Sequence, residues 1–160
     1  MDGWEDIAVV VGGAAAALIG AFFVAVSIKI DVIGRSWELR NRAAQTLVLF
    51  INPLVAAVLL VVPEQPTVAL GIELIALGAI AGAAAFVLDQ RAKRHRDRSS
   101  ISRTLEIVTP NAITSVLAGV AGVVLVVGHQ AGFYFLVPAF LAAITGGVIN
   151  AWLFLAKITD

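Results

Sequence analysis

Residues 7 to 30 read IAVVVGGAAAALIGAFFVAVSIKI, a nearly unbroken run of apolar and small side chains. A helix of about 20 such residues crosses the hydrocarbon core of a bilayer, which is roughly 30 Å thick. Further stretches of this kind lie at about 43 to 62, 67 to 88, 105 to 128 and 133 to 156. The pattern predicts a polytopic membrane protein with five transmembrane helices.

The composition of the whole chain agrees with this prediction. Of its 160 residues, 60% are hydrophobic and 14% are charged, against about 25% charged residues in a typical soluble domain. Lipid offers the backbone no hydrogen-bond partner, so only helices and closed barrels span it. The stretches lack the alternating pattern of barrel strands. We therefore expect an all-α fold, a single transmembrane helical bundle over residues 1 to 160.

Basic residues are confined to one side of the predicted bundle. All 11 Lys and Arg residues lie in, or within one helical turn of, the connections 31 to 42 and 89 to 103 and the C-terminus. With five spans these segments share one face of the membrane, and the opposite face carries no Lys or Arg. Because cytoplasmic loops concentrate Lys and Arg, we expect the N-terminus outside and the C-terminus inside.

The stretch QRAKRHRDRSSISR, residues 90 to 103, is the one strongly basic run of the chain. A loop between two spans on the cytoplasmic side is expected to be rich in Lys and Arg, and the same positive charge attracts anionic lipid headgroups. Asp97 interrupts the run and no aromatic side chain is interleaved for base stacking, so we expect no nucleic-acid binding. The residues predicted to contact lipid headgroups are Arg91, Lys93, Arg94, Arg96 and Arg98.

Small residues recur at helical spacing in two of the predicted spans. Such stripes let helix backbones approach closely, where packing replaces the hydrophobic drive that is missing in lipid. Whether the partner helix belongs to the same chain or to another copy in a homo-oligomer stays open at this point. The predicted helix-packing residues are Gly12, Ala16 and Gly20 in the first span and Gly71, Gly78 and Gly82 in the third.

Polar side chains inside the spans are the main functional candidates, because each costs free energy in lipid and should face a partner or water. Asp31 shares a helical stripe with Ser27 and Gly20, so we expect it to turn toward the bundle. Near the inner end, polar residues serve either as interhelical hydrogen-bond partners or as the lining of a cytoplasm-facing cavity. The candidates are Ser27, Asp31, Gln45, Asn52, Asn111, Ser115 and Asn150, and those expected to meet in one inner cluster are Gln45, Asn111, Ser115 and Asn150.

Glu73 is the one carboxylate well inside a predicted span, about two turns from the outer link PEQP. His129 lies at the outer end of the fourth span and is a candidate partner for it. One hypothesis is that Glu73 and His129 form an outward-facing protonatable pair that gates or conducts. The alternatives are a Glu73 that hydrogen-bonds a neighbouring helix and a Glu73 that reaches toward the headgroups.

Motifs for catalysis and for metal binding are missing from the sequence. It contains no HExxH, no P-loop and no nucleophile motif of the GxSG type. The chain has no Cys, and its two His residues fall on opposite sides of the predicted membrane, so no donor set typical of a metal site is present. We expect neither catalytic activity nor a cofactor or metal.

Three stretches resemble segments of small multi-pass membrane proteins from actinobacteria, some of which are labelled modulators of the FtsH membrane protease. They are AALIGAFFVAVSIKIDVI (16 to 33), ALGIELIALG (69 to 78) and GFYFLVPAFLAAITGGVINAWLFL (132 to 155). Ser27, Glu73 and Asn150 match recurrent positions of these proteins, whereas Lys29 replaces a polar neutral residue. The resemblance implies a bacterial cytoplasmic (inner) membrane protein with a regulatory partner, and it supplies no catalytic residue.

Two functions follow from these observations as expectations. The first is a non-enzymatic accessory or regulatory bundle that binds membrane lipids and another membrane component. The alternative is an oligomeric channel or transporter for protons or small ions. The polar residues discriminate between them, because a conduit needs them to line continuous water, whereas an accessory protein needs only mutual hydrogen bonds.

Overall fold

The computed structural model describes residues 3 to 94 and 110 to 159, and within these ranges it contains helices and no strand. The expected all-helical class is therefore confirmed for the described residues. The helices are α1 (Trp4–Ile28), α2 (Ile30–Arg35), α3 (Trp37–Leu60), α4 (Thr67–Arg94), α5 (Pro110–Val126) and α6 (Gly132–Thr159).

Four of these helices are long and apolar enough to cross a membrane, namely Trp4–Ile28, Trp37–Leu60, Thr67–Arg91 and Gly132–Ala156. The fifth apolar helix, α5, has 17 residues, which corresponds to about 26 Å at 1.5 Å per residue. The first five residues of the predicted fourth span, 105 to 109, lie outside the described residues. The structure thus supports a helical membrane bundle at the level of four spanning helices plus one shorter apolar helix.

The predicted first span, residues 7 to 30, is interrupted near its end. Lys29 leaves the helical conformation, with φ of −119° and ψ of 25°, so α1 ends at Ile28 and the short α2 follows. Ser36 then caps the start of α3, because its side-chain oxygen accepts a hydrogen bond of 3.3 Å from the Leu39 backbone N–H. Such an N-cap satisfies one of the free donors at a helix start.

The bundle is arranged around α3, which packs against α1, α4 and α6. The most extensive helix pair is α4 with α5, and α5 in turn packs against α6, whereas α1 rests mainly on α3. We call the end of the bundle that holds Trp4 and the links 61 to 66 and 127 to 131 the link end. The opposite end, which holds α2 and Asn150, is the polar end.

Two apolar clusters fill the bundle, one at each end. The link-end cluster includes Leu70, Leu74, Leu125 and Leu136, which are fully buried. In the polar-end cluster, the Phe22 ring centroid lies 6.4 Å from that of Phe50 and 5.6 Å from that of Phe154. Large apolar side chains also cover the outside, such as Val10 at 71% exposure and Ile80 at 69%. This exterior suits a hydrocarbon solvent rather than water.

Glycines bring the backbones of α4 and α5 into direct contact. A Cβ atom added to Gly71 would lie 2.7 Å from the Gly122 carbonyl oxygen, and one added to Gly122 would lie 2.5 Å from that of Gly71. A Cβ on Gly78 would lie 2.7 Å from the Ser115 carbonyl oxygen, and one on Gly82 would lie 3.5 Å from the Ser115 Cβ. The small-residue stripe of α4 is therefore used inside this chain.

The small residues of α1 behave differently from this pattern. Gly12 faces α3, since a Cβ there would lie 3.1 Å from the Ala57 Cβ, but Ala16 is exposed and Gly20 has no atom near its Cβ position. The side of α1 that is buried carries Ala15 and Phe22. Steps of four residues rotate by about 40° around a helix, so the Gly12, Ala16, Gly20 stripe turns away from α3. Within one chain, the helix-packing role predicted for Ala16 and Gly20 is absent.

Candidate functional site: a polar cavity at one end of the bundle

A small cavity of about 100 Å³ lies at the polar end, between α3, α4, α5 and α6. It is the place in the described residues where polar side chains from four helices converge. Polar groups and space together make a site that holds water or a small ligand. The lining residues are Gln45, Ala85, Asp89, Pro110, Asn111 and Asn150.

The start of α5 determines the shape of the cavity. Pro110 is the first residue of α5, a position where its missing N–H and fixed φ cost nothing. Its ring lies directly over Gly146 of α6, where any Cβ would collide with it. This close approach seats the next residue, Asn111, between the helices, where only 6% of it is exposed.

Asn111 links α5 to α3 through its side chain. Its Nδ2 donates a hydrogen bond of 3.4 Å to the backbone carbonyl oxygen of Gln45. A carbonyl oxygen only accepts, so the amide nitrogen must be the atom that faces it. The amide oxygen of Asn111 and the second N–H of its Nδ2 remain for other partners. Gln45 and Asn150, both half-buried, lie on the neighbouring walls.

Asp89 is the lining residue that sequence reasoning missed as a site candidate, because the sequence assigns it to the inner connection. In the structure α4 continues to Arg94, and Asp89 is a half-buried residue of that helix. The sequence does contain an indication of this position, because Asp89 lies seven residues beyond Gly82 and eleven beyond Gly78, on the same helical stripe. That spacing places it on the face that packs against α5.

Ser115 does not join the cavity, although it was expected in the same cluster as Gln45, Asn111 and Asn150. It lies about one turn farther into the bundle, where it faces Gly78 and Gly82 of α4. Its hydroxyl oxygen is buried without a hydrogen-bond partner. Asn52 is likewise buried within the bundle but lies outside the cavity lining.

Ser27 and Asp31 also depart from expectation. The Ser27 hydroxyl donates to the Phe23 carbonyl oxygen of its own helix at 2.8 Å, on the exposed side. Asp31 is exposed instead of facing the bundle, and Ile33 is the buried residue of α2. The physical reason is the break at Lys29, which takes Asp31 off the stripe that Ser27 and Gly20 would have shared with it in a continuous helix.

The predicted pair between Glu73 and His129 is not formed, although both residues are described. Glu73 Oε2 accepts a hydrogen bond of 2.6 Å from Gln65 Nε2, so its partner comes from the 61 to 66 link. The link folds back over the start of α4 and brings Gln65 to Glu73. His129 follows Gly128 at the end of α5, where the chain turns, and its side chain is exposed.

The residues predicted to contact lipid headgroups fall at the limit of the described chain. Arg91 is exposed near the end of α4, as a headgroup contact requires. Lys93 and Arg94 belong to α4, but their side chains lie outside what the structure describes, as do Arg96 and Arg98 entirely.

In the described part of the chain, buried polar side chains do not form a continuous path from the cavity to Glu73. Thr46 and Thr114 donate to the carbonyl oxygens of Arg42 and Pro110 in their own helices, at 3.0 and 2.8 Å. Such bonds to the preceding turn satisfy a hydroxyl without a water channel. Nearer the link end the interior is filled by the apolar link-end cluster.

An apolar groove of about 490 Å³ lies on the outside of the bundle between α1 and α3. Its floor includes Gly12 and Ala57, where the two helices come close, and its walls include Val58 and Val61. The groove is at the link end, next to the exposed face of α1.

No protein-family model, no curated protein and no solved structure matches the sequence.

Proposed function

We propose that the chain is a five-span protein of the bacterial cytoplasmic membrane, N-terminus outside, that acts as a non-enzymatic accessory or regulatory bundle and binds another membrane component through α1. The observation that carries this proposal is the one-sided packing of α1. Only 17% of its most apolar stretch is buried, against 44% in α3 and in α6. A helix attached so loosely to its own bundle is available to a partner.

The exposed face of α1 is suited to contact with another helix. Ala16 and Gly20 are small and exposed on this face, and no atom lies near the Cβ position of Gly20. Small residues allow two helix backbones to approach closely, which is how helices associate in lipid. The apolar groove beside this face would widen the contact area.

The hydrogen bonds inside the bundle favour an accessory protein over a conduit. Glu73 is bonded to Gln65, and Asn111 to the Gln45 backbone, so these groups serve interhelical and link contacts. A conduit would need such groups to line continuous water.

The position of α5 supports five spans. It packs between α4 and α6, two helices that are each long and apolar enough to cross a membrane. The distribution of Lys and Arg then supports the proposed orientation.

In-membrane photocrosslinking tests the partner-binding face. A photoreactive amino acid replaces Ala16 or Gly20 of α1 in separate variants, and Ile80 of α4, which is also exposed, serves as the matched control. We expect a defined protein adduct from the α1 positions and none from Ile80. An adduct with twice the mass of the chain would identify a second copy as the partner. Equal labelling at all positions, with lipid alone, would contradict the proposal.

The polar cavity and Glu73 keep an ion channel or transporter as the second candidate. Proton and cation flux into proteoliposomes, measured for wild type, Glu73→Gln and Asp89→Asn, separates the two. The accessory function predicts vesicles that stay tight in all three cases. A flux that either substitution abolishes would instead establish a conduit.

A further inference from the structure

We propose that the apolar groove between α1 and α3 binds one acyl chain of a phospholipid whose headgroup carries an ammonium group, as that of phosphatidylethanolamine does. The inference rests on the proposed position of the bundle in a membrane but not on the proposed protein partner. The partner face was placed at Ala16 and Gly20, whereas the groove extends from Gly12 toward the link end.

The walls of the groove consist of apolar side chains. Helix α1 contributes Ala8, Val9 and Gly12, and α3 contributes Leu54 and Val58 among others. None of the lining side chains carries a charge or a hydrogen-bonding group, so the groove is apolar whichever of their atoms face it. Val9 is 63% exposed and Val58 is 61% exposed, so the groove opens toward the surroundings of the bundle. A ligand made of methylene groups suits such a lining.

The dimensions of the groove favour an acyl chain over a helix of another protein. From Leu54 to Val61 its α3 wall is about 10 Å long at 1.5 Å per residue. A helix with its side chains is about 10 to 12 Å across, so 10 Å of its length fills roughly 800 Å³ or more. The groove holds about 490 Å³. It therefore seats the thinner acyl chain fully and a helix only in part.

The headgroup has to provide the selectivity of the site. Apolar contacts alone do not select one lipid, because the tails of the surrounding bilayer are as apolar as the groove. Two exposed carboxylates flank the end of the groove at Pro63. Glu64 follows Pro63 directly, and Glu5 lies one turn before Val9 on the same side of α1.

The charge at this end of the groove matches an ammonium group. The described residues of the link end include no Lys or Arg, and His129 lies in the other link, between α5 and α6. Of the remaining carboxylates there, Asp6 is exposed, and Glu73 accepts the hydrogen bond from Gln65. The two flanking carboxylates therefore attract an ammonium headgroup and repel the anionic headgroup of phosphatidylglycerol.

Native mass spectrometry of the full chain, released from detergent micelles, tests the site. Phosphatidylethanolamine and phosphatidylglycerol with identical oleoyl chains are titrated separately and in competition, and the bound lipids per chain are counted. We expect saturable retention of one phosphatidylethanolamine per chain. Retention of phosphatidylglycerol should be weaker by about two- to fivefold for each carboxylate that acts. Equal retention of the two lipids by wild type would overturn the headgroup selectivity.

A substitution that fills the groove locates the bound chain. Val58→Trp places a large side chain in the groove from an exposed position, so we expect retention of both lipids to fall by about tenfold or more. Ile80→Trp is the matched control, because Ile80 is 69% exposed on α4, outside the groove, and its retention should equal that of wild type. Equal retention in the two variants would place the lipid elsewhere and overturn the site.

Neutral variants at the end of the groove test the headgroup contact separately. The double variant Glu5→Gln with Glu64→Gln keeps the shapes of both side chains, and we expect it to lose the preference for phosphatidylethanolamine while still binding lipid. Asp31→Asn removes an exposed carboxylate at the polar end and should keep the preference. A preference that persists in the double variant would show that these carboxylates do not select the lipid.

A photoreactive residue at Val58, used in the membrane, separates the lipid site from the protein partner. We expect a lipid adduct at this position. Lipid labelling at Val58 together with no protein adduct at Ala16 or Gly20 would support the lipid site and contradict the partner face. A protein adduct at Val58 would assign the groove to a partner, or to a second copy if its mass is twice that of the chain, and would overturn the lipid site.

Discussion

Gly128 ends α5 in a left-handed conformation with φ of 92°. Its N–H donates to the Leu125 carbonyl oxygen at 3.0 Å, and the His129 N–H donates to that of Val124 at 3.1 Å. This pair of bonds is the Schellman arrangement, which satisfies carbonyl groups that a helix end would otherwise leave free. A residue with a Cβ is strained in this conformation, so the turn before α6 depends on glycine.

Gly128→Ala should therefore lower the free energy of unfolding by about 1 kcal/mol. The measurement is unfolding of the purified protein by titration of a denaturing detergent into mild micelles. Gly13→Ala is the matched control, since Gly13 lies inside α1 with no atom near its Cβ position. Alanine is a better helix former there, and stability should rise by up to about 1 kcal/mol. A loss of equal size in both variants would refute the role of the turn.

Among the helices, α4 and α5 form the pair that depends most on the absence of side chains. The carbonyl oxygen of Gly71 lies where a Cβ on Gly122 would be, and the carbonyl oxygen of Gly122 lies where a Cβ on Gly71 would be. Neither helix can rotate or separate without giving up this contact, which in turn positions Ser115 and the lining of the cavity. The pair therefore packs backbone against backbone, whereas α1 packs mainly against α3.

Gly122→Val should force α4 and α5 apart and lower the free energy of unfolding by about 1 to 3 kcal/mol, the usual cost of overpacking. The same detergent titration measures this loss. Gly119→Val on the same helix is the control, because its Cβ position has no neighbour within 4 Å. The control should lose less, since it carries only the propensity term of a β-branched residue. Equal losses in the two variants would mean that the α4–α5 contact is unimportant.

At the scale of the whole molecule, the orientation of the bundle in the membrane can be tested by which of its two ends is accessible from outside the cell. The chain contains no Cys, so a single introduced Cys reports its own accessibility. Glu64 and His129 are exposed at the link end, and Arg35 is exposed at the other end of the bundle.

We expect Glu64→Cys and His129→Cys to react with a membrane-impermeant maleimide in intact bacterial cells, because cytoplasmic loops hold the Lys and Arg residues and the link end does not. Arg35→Cys should react only after the membrane is permeabilised. Labelling is read as a mass increase on the purified chain. Reaction of Arg35→Cys in intact cells would reverse the proposed orientation, and reaction of all three would contradict the membrane position of the bundle.

Much of the fold could be predicted from the sequence because it depends on local chemistry. Apolar stretches such as 67 to 88 predict their helices well, since lipid leaves the backbone no other way to bond. The break at Lys29 could not be predicted, because no proline or glycine marks it and it depends on how α2 docks through Ile33. The site was predicted in part, with Gln45, Asn111 and Asn150 brought together as expected.

The sequence by itself determined that this chain is an all-helical, strongly apolar protein, because composition and stretch length act on each helix separately. Only the tertiary structure decided which faces meet, because that depends on the rotation of each helix about its own axis. The rotation of α4 and α5 is set by the Gly71–Gly122 contact, and it carries Asp89 into the cavity. The rotation of α1 is set by Phe22 against Phe50, and it leaves Ala16 and Gly20 exposed.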